Sequence, residues 1–267
     1  WLGLPGVGER AALESEDLGL EQRLGNRCAV DVDEGRARTR ASLVDEMGND
    51  GLVISGTTGE SPTTSDAEKA DLLRVVLDAV GDRAAILAGV GTFDTEHTLE
   101  LAETAAKLGA AGLVTFDPAG TKALAATAAK HGASGLLVVT PYYSKPPQAG
   151  ILEHFRRVAD STDVPVMLYD IPGRAGVAIA TDTMLRLAEH PGIVAVKDAK
   201  GDLAASARVI AQSELAYYSG DDAMTLPLLS VGAVGVVGTS THFSAIGTKQ
   251  LIEAYLAGDT ATALRLH

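Results

Sequence analysis

The sequence predicts a (β/α)8 barrel, an α/β fold of the TIM-barrel class, from three observations. From residue 51 onward, short apolar runs alternate with Ala- and Leu-rich segments of helical period. The runs are apolar on both faces, as expected for parallel strands that helices cover. Polar, glycine-containing loops follow several runs, and no GxGxxG motif follows the first one. This pattern favours a barrel over a doubly wound dinucleotide-binding sheet.

The elements follow in order from Gly51. The predicted strands are Gly51–Ser55, Ala84–Val90, Ala111–Phe116, Gly135–Thr140, Val164–Tyr169, Gly192–Lys197, Leu215–Ser219 and Ala233–Gly238. The predicted helices between them include Asp66–Ala79, Thr98–Leu108, Gly150–Ser161 and Thr181–Glu189, with Asp66 and Thr181 as N-caps. The chain is therefore expected to have an atypical N-terminal segment with a weak first βα unit, residues 1–50, and a catalytic barrel domain, residues 51–267.

Two features leave the number of strands open. Cys28–Val32 is a weak strand candidate, and Arg36–Met47 is a candidate short helix. Residues 92–113 recur as residues 115–136, with 14 of 22 positions identical, so one strand–helix unit is a tandem copy. The copy enters the barrel, bulges out as an insertion or replaces the weak first strand. The barrel accordingly has eight strands, or nine with the weak first one.

The composition limits the classes of partner that the protein is expected to bind. The formal net charge of −13 argues against nucleic acid or an anionic membrane as the main partner. No apolar run approaches the roughly 20 residues of a membrane span. Cys28 is the only cysteine, which favours a reducing cytoplasm. The six histidines show no ligand spacing, so we expect no metal site.

Lys197 ends a buried strand, where an ammonium group is unexpected. Strand alternation places Lys197 on one face with Ile193 and Ala195. Most of the other seven lysines lie on charged helical faces or in loops, the usual solvated positions. Burial disfavours the ammonium form of a lysine, and a neutral amine can attack a carbonyl group. The alternative is a salt-bridged or snorkelling lysine at the barrel rim.

Neighbouring loops add groups with matching chemistry. Tyr169 closes the preceding strand and could act as a general acid and base, or simply be a core aromatic residue. Arg174 follows in IPGRAG, where a guanidinium group suits bidentate capture of a carboxylate, although a surface arginine is the alternative. The GTTGE turn offers hydroxyl and backbone N–H groups to an anion, or is an ordinary tight turn.

The motifs GTTGES, TPYYSKPP, LYDIPGRAG, VKDAKGD and SGDDA together resemble the dihydrodipicolinate synthase family, over about residues 51–265 apart from the extra 23-residue unit. The resemblance implies a class I aldolase-type lyase of the diaminopimelate route to lysine. Lys197 would form a Schiff base with pyruvate, with no cofactor and no metal, and the second substrate would be L-aspartate 4-semialdehyde. The resemblance also implies a cytoplasmic homo-oligomer, a dimer or tetramer.

The resemblance assigns further roles. Tyr169 would shuttle protons at the imine, and Thr57 would link it to Tyr143, which reaches into the neighbouring subunit's site in this family. The pyruvate carboxylate would be bound by Thr58, and the carboxylate of the second substrate by Arg174. The pocket would also be lined by Val237 and Gly220.

The sequence departs from the family pattern in three ways, and these departures motivate the last of the alternatives below. The first strand lacks a VTPF-like end, the repeated unit lies between GTTGE and PYY, and we expect a truncated C-terminal helical region. A sister Schiff-base lyase, such as N-acetylneuraminate lyase or a 2-keto-3-deoxy-sugar acid aldolase, is the second hypothesis. A non-catalytic, defective barrel that serves as an interaction scaffold is the third.

Overall fold

The computed structural model describes most of the chain from Cys28 onward. The described residues are 28–32, 48–56, 58–59, 61–91, 95–115, 135–142 and 144–267. Two predicted features, the irregular segment of residues 1–27 and the candidate helix Arg36–Met47, lie outside these residues.

The strands in the described residues coincide with the predicted apolar runs. They are β1 (Cys28–Val32), β2 (Gly51–Ile54), β3 (Ala85–Gly89), β4 (Gly112–Thr115), β5 (Leu136–Val139), β6 (Val166–Asp170), β7 (Ile193–Asp198), β8 (Ala216–Ser219) and β9 (Gly235–Gly238). All eight runs are strands, and the weak candidate at Cys28–Val32 is a strand as well. Short strands rich in Val, Ile, Leu and Ala suit a parallel sheet that is covered on both faces.

Helices lie between most of the strands. They are α1 (Asp66–Val80), α2 (Thr95–Leu108), α3 (Gln148–Ala159), α4 (Pro172–Ala175), α5 (Thr181–Ala188), α6 (Leu203–Gln212), α7 (Thr225–Ser230), α8 (Thr241–Leu256) and α9 (Thr260–Leu266). Two predicted N-caps are wrong by one residue. Ser65 caps α1 through a capping box with Glu68, and Ala180 precedes α5 without a side-chain cap. None of the described helices is long and apolar enough to cross a membrane.

The described strands close into one barrel in the order β1 to β9, and β1 pairs with both β2 and β9 in parallel. The predicted TIM-barrel class is confirmed, and the described residues contain nine strands rather than eight. Because β1 belongs to the barrel, the barrel begins before residue 51. The N-terminal segment therefore contributes the strand that closes it.

The repeated unit enters the barrel. Strand β4 pairs in parallel with β3 through Leu87 and Gly112, and with β5 through Leu113 and Leu136. Of the three arrangements that the sequence left open, insertion into the sheet is the one that the structure has. Two strands, β3 and β4, therefore lie between β2 and β5.

Apolar side chains form two layers on either side of the strands. The inner layer fills the barrel and includes Leu137, Val139, Met167, Tyr169, Ala195, Ala216 and Tyr218. The outer layer packs the strands against the helices and includes fully buried side chains such as Leu168, Val196 and Tyr217. Parallel strands with apolar residues on both faces produce this arrangement.

An irregularity in β7 changes one prediction. Val166 pairs with Ile193, but the next residue, Met167, pairs with Ala195, so Val194 is the extra residue of a β-bulge. Ile193 consequently packs in the outer layer, whereas Ala195 lies in the inner one. The prediction that Ile193 shares a face with Lys197 is wrong because the bulge interrupts the alternation.

Candidate active site

Lys197 lies inside the barrel next to Tyr169. The two residues are register partners near the C-terminal ends of β7 and β6. Lys197 is 9% exposed, and its Nζ lies 4.4 Å from the centroid of the Tyr169 ring. A cation at this distance from an aromatic ring is attracted by the ring quadrupole. The structure therefore brings together the amine and the phenol that the sequence singled out.

Gly220 packs against the Lys197 side chain. Its backbone N–H donates to the carbonyl oxygen of Asp198 at 2.7 Å, which holds the loop after β8 against the end of β7. A Cβ atom at this position would lie 3.0 Å from Lys197 Cγ and 3.2 Å from Lys197 Cε. A side chain here would therefore push against Lys197 and Ala199, which would have to shift by a few tenths of an ångström. Val237, in β9, is partly buried and packs against the inner layer.

Tyr218 is a site residue that the sequence analysis missed. It is the register partner of Lys197 on β8, is 4% exposed and belongs to the inner layer. Tyr169, Lys197 and Tyr218 thus form a row across three adjacent strands. The signal was present in the pair Tyr217–Tyr218, because adjacent residues of a buried strand point to opposite faces, so one of them must face the interior.

The other predicted binding residues lie on loops at the same end of the barrel. Arg174 lies on α4, directly after β6, and is exposed. Gly176 ends that short helix with a left-handed φ of 78°. Thr58 lies in an exposed turn after β2. Thr57 and Tyr143, the two remaining members of the predicted relay, lie outside the described residues.

The strand order sets the spacing around this rim. Thr57 and Thr58 follow β2, whereas Tyr143 follows β5, and β3 and β4 separate these strands. Neighbouring strands lie about 4.8 Å apart, so the inserted strand adds about one such spacing between the two loops. The groups around Lys197 are unaffected, because β6 to β9 are consecutive neighbours.

Metal ligation has no support in the described part of the chain. Among these residues there is no group of three or more His, Cys, Asp and Glu side chains that could hold a metal ion. The chemistry available at the rim is instead that of one buried amine, two buried phenols and an exposed guanidinium group. These groups suit attack on a carbonyl compound and capture of a carboxylate.

A parallel β/α barrel with a buried lysine at the C-terminal end of a strand defines a class of enzymes that use an amine nucleophile. The model of the dihydrodipicolinate synthetase family matches residues 31–123 and 119–267. The chain belongs to the dihydrodipicolinate synthetase family.

Curated relatives agree with this assignment. The 4-hydroxy-tetrahydrodipicolinate synthase of Acidothermus cellulolyticus is 62% identical over 239 residues, which cover 90% of this chain and 70% of that protein. The 4-hydroxy-tetrahydrodipicolinate synthase of Cutibacterium acnes is 56% identical over 222 residues, which cover 83% and 68%.

Solved structures of the family are also similar. A dihydrodipicolinate synthase from Cyanidioschyzon merolae with lysine bound has a TM-score of 0.73 and 37% identity, covering 92% of this chain and 80% of that one. A dihydrodipicolinate synthase from Bacillus anthracis has a TM-score of 0.72 and 34% identity, covering 91% and 79%. Both fold and sequence therefore support the same family.

Proposed function

We propose that this chain is a Schiff-base lyase with the activity for which its relatives are named, 4-hydroxy-tetrahydrodipicolinate synthesis. It would condense pyruvate with L-aspartate 4-semialdehyde. The observation that carries this proposal is the position of Lys197, which is 9% exposed at the C-terminal end of a barrel strand and adjacent to Tyr169. An amine at this position, once deprotonated, is a nucleophile for a carbonyl carbon.

The chemistry begins with attack of the Lys197 amine on the keto carbon of pyruvate. Loss of water gives an imine, and loss of a methyl proton from the protonated imine gives an enamine. The enamine carbon then attacks the aldehyde carbon, whose oxygen takes up a proton. Tyr169 is the proposed proton carrier, because it lies next to Lys197 and a phenol can both donate and accept a proton. Water or the substrate's own amine releases the product from the lysine.

The remaining predicted residues have binding and relay roles in this proposal. Thr58 would bind the carboxylate of pyruvate, and Arg174 that of the aldehyde substrate, since guanidinium groups bind carboxylates with two parallel hydrogen bonds. Gly220 and Val237 would line the pocket. Thr57 and Tyr143 would extend the proton relay from Tyr169.

We further propose that the enzyme acts in lysine biosynthesis, in the cytoplasm, as a homo-oligomer of two or four subunits. The lysine assignment follows from the activity for which the relatives are named, and the location from the single cysteine, Cys28. The assembly is proposed because Tyr143 would act in the site of a neighbouring subunit. Sedimentation equilibrium of the purified chain would measure the subunit number directly.

Covalent trapping tests the mechanism. Incubation with pyruvate and sodium cyanoborohydride should add the mass of one reduced pyruvate, and peptide mapping should place it on Lys197. The variant Lys197→Arg should remain unmodified. The matched control is Lys249→Arg. Lys249 pairs with Asp50, which directly precedes β2, so it lies at the end of the barrel opposite to Lys197. A folded wild-type chain that is not trapped would overturn the proposal.

Turnover then separates this activity from the two alternatives. Consumption of L-aspartate 4-semialdehyde with pyruvate is expected, whereas N-acetylneuraminate and 2-keto-3-deoxy-sugar acids should not be cleaved. Cleavage of a sugar acid in preference to condensation would identify a sister lyase. Absence of every turnover in a folded chain would identify a non-catalytic barrel.

A further inference from the structure

A cluster of buried charges lies directly behind the Tyr169–Lys197 pair. Asp170 and Asp198 are the last residues of β6 and β7 and are register partners, one residue beyond that pair. Because side chains alternate along a strand, both carboxylates point to the outer face. Asp170 is 0% exposed and Asp198 is 2% exposed. The same strand ends therefore present an amine and a phenol inward and two carboxylates outward.

Lys200 lies between the two carboxylates and forms ion pairs with them, and its Nζ makes no hydrogen bond among the described residues. Its Nζ lies 3.5 Å from Asp170 Oδ2 and 3.9 Å from Asp198 Oδ2, and its side chain is 8% exposed. A lysine in a polar loop usually has a solvent-exposed side chain. Lys200 is an exception, because its side chain is buried. We call Asp170, Asp198 and Lys200 the buried charge cluster. Its formal charge, with all three groups ionised, is negative.

Each carboxylate also holds a loop. Asp170 Oδ1 accepts the backbone N–H of Ile179 at 3.2 Å, which closes the segment between β6 and α5. That segment carries Arg174. Asp198 Oδ1 accepts the backbone N–H of Lys200 at 2.9 Å, and its Oδ2 accepts the hydroxyl of Ser206, on α6, at 2.5 Å. Asp198 thus fixes the loop that follows Lys197.

We infer that the buried charge cluster positions the Arg174 segment relative to Lys197, and thereby sets the affinity for the carboxylate of the aldehyde substrate. This inference rests on the proposed function, in which Arg174 binds that carboxylate. Asp170 anchors one segment, Asp198 anchors the other, and the Lys200 ammonium group joins them. Lys200 is thus a positioning residue, acting through the Arg174 segment rather than on the substrate.

Stability alone is a poor reason for this arrangement. Burial of charged groups costs free energy, and apolar side chains of similar size often stabilise a fold at least as well as a buried ion pair. Burial raises the pKa of Asp170 to about 6, and this effect exceeds the opposing effect of Lys200. The hydroxyl of Tyr217, on β8, faces the same region without a hydrogen-bond partner among the described residues. We therefore attribute to the cluster a role in positioning the two segments rather than in stabilising the fold.

Four variants test the role of the cluster. Lys200→Met removes the link, and Lys200→Arg keeps its charge. The double variant Lys200→Met with Asp170→Asn removes two charges together, while the amide oxygen can still accept the Ile179 N–H. The matched control is Lys249→Met, because Lys249 pairs with Asp50 at 2.7 Å but lies at the N-terminal end of the barrel.

The expected results distinguish an effect on binding of the aldehyde substrate from an effect on folding. In the double variant, the KM for L-aspartate 4-semialdehyde should rise about tenfold, because misplacement by about 1 Å can cost up to about a hundredfold. Pyruvate trapping at Lys197 should stay within about twofold, since it does not need Arg174. Lys200→Arg, which keeps the positive charge, should retain most of the aldehyde affinity that Lys200→Met loses. Lys249→Met should lower thermal stability without changing this KM.

Two outcomes would overturn the inference. The first is a folded double variant with the KM of the wild type for the aldehyde. The second is a loss of pyruvate trapping as large as the loss of aldehyde turnover, because the cluster would then support Lys197 itself. Failure of the proposed function looks different, since the wild-type chain would then show neither trapping nor condensation.

Discussion

The β6–β9 side of the barrel gathers the groups around Lys197, whereas the β2–β5 side carries the repeated unit. On the first side, the strands are consecutive neighbours, and Tyr169, Lys197 and Tyr218 form one row. On the second side, β4 adds a strand between the GTTGES loop and the loop of Tyr143. The family model matches twice, and residues 119–123, within the second copy, belong to both matches.

This difference shows that the two halves of the proposed reaction depend on different parts of the chain. The amine, the phenol and the Arg174 segment are positioned by local neighbours in the sheet. The residues proposed to bind the pyruvate carboxylate and to extend the relay depend on how many strands lie between β2 and β5. Changes on the β2–β5 side should therefore affect binding of the pyruvate carboxylate and the proton relay, and changes on the β6–β9 side should affect imine formation and binding of the aldehyde substrate.

Deletion of one copy of the repeat should have the largest effect. Removing residues 114–136 joins Leu113 to Leu137, retains α2 and leaves a single strand–helix unit. We expect kcat/KM to rise about a hundredfold, because one strand spacing of about 4.8 Å is removed and a misplacement of about 1 Å already costs up to that factor. Steady-state kinetics of the purified variant measures the change.

The control deletes residues 92–114 instead, which leaves the other copy. Both deletions should give the same gain, since either one restores a barrel with a single unit at this place. A folded deletion variant with unchanged or lower kcat/KM would mean that the nine-stranded barrel already holds the GTTGES loop correctly.

Gly89→Ala tests the same side by a point substitution. A Cβ atom at Gly89 would lie 1.9 Å from the carbonyl oxygen of Ser55, a backbone atom that cannot rotate away. Ser55 has a left-handed φ of 54° and leads into the GTTGES loop. We expect displacement of this loop, a fall in kcat/KM of about a hundredfold and a stability loss of about 3 kcal/mol from overpacking.

The matched control is Gly112→Ala on the adjacent strand β4. There the nearest atoms to an added Cβ are the Gly135 carbonyl oxygen at 3.0 Å and Leu87 Cγ at 3.2 Å, so small shifts suffice. Its effect on kcat/KM should be much smaller. Equal losses in both variants would contradict a special role of the Ser55–Gly89 contact.

Asp170 gives the β6–β9 side a characteristic pH dependence. Burial raises its pKa to about 6, against about 3.9 in an unfolded chain. Between these values the native state keeps a proton that the unfolded chain has released, so stability falls as pH rises and then stays low above pH 6. The full difference corresponds to about 3 kcal/mol.

Urea unfolding over this pH range, compared with Asp170→Asn, measures the effect. The variant has no ionisable group at this position, so it reports the titration of the rest of the acidic chain. The free energy of unfolding of the wild type should fall relative to the variant as pH increases. A difference between the two proteins that does not change with pH would show that Asp170 titrates normally.

Much of the fold follows from local patterns. Each apolar run is a strand, and its short length and its apolar residues on both faces suit a parallel sheet that helices cover. The insertion of the repeat could not be predicted in the same way. Its two copies carry nearly the same residues, and only pairing of β4 with both β3 and β5 distinguishes insertion from a bulging loop.

Among the site residues, too, some could be predicted from the sequence and others could not. Lys197 and Tyr169 are detectable because each follows a run of apolar residues within a predicted buried strand. Lys200 is not, because DAKGD has the composition of a solvated loop, and its burial depends on Asp170 from another strand. The outward position of Ile193 depends on the bulge at Val194, which strand alternation does not reveal.

Ser206→Ala should have the smallest effect and tests the β6–β9 side alone. The Ser206 hydroxyl donates to Asp198 Oδ2 at 2.5 Å in a buried position, and hydrogen bonds to charged groups contribute about 1.5–3 kcal/mol. Ser213→Ala is the control, because its hydroxyl donates at 2.8 Å to a neutral carbonyl of the same helix, worth about 0.5–1.5 kcal/mol. Urea unfolding should show the larger loss for Ser206→Ala, and only this variant should also weaken aldehyde binding, because of the two serines only Ser206 contacts the Asp198 carboxylate next to Lys197. Equal losses in stability with unchanged aldehyde KM would mean that the ends of β6 and β7 keep their spacing without this contact.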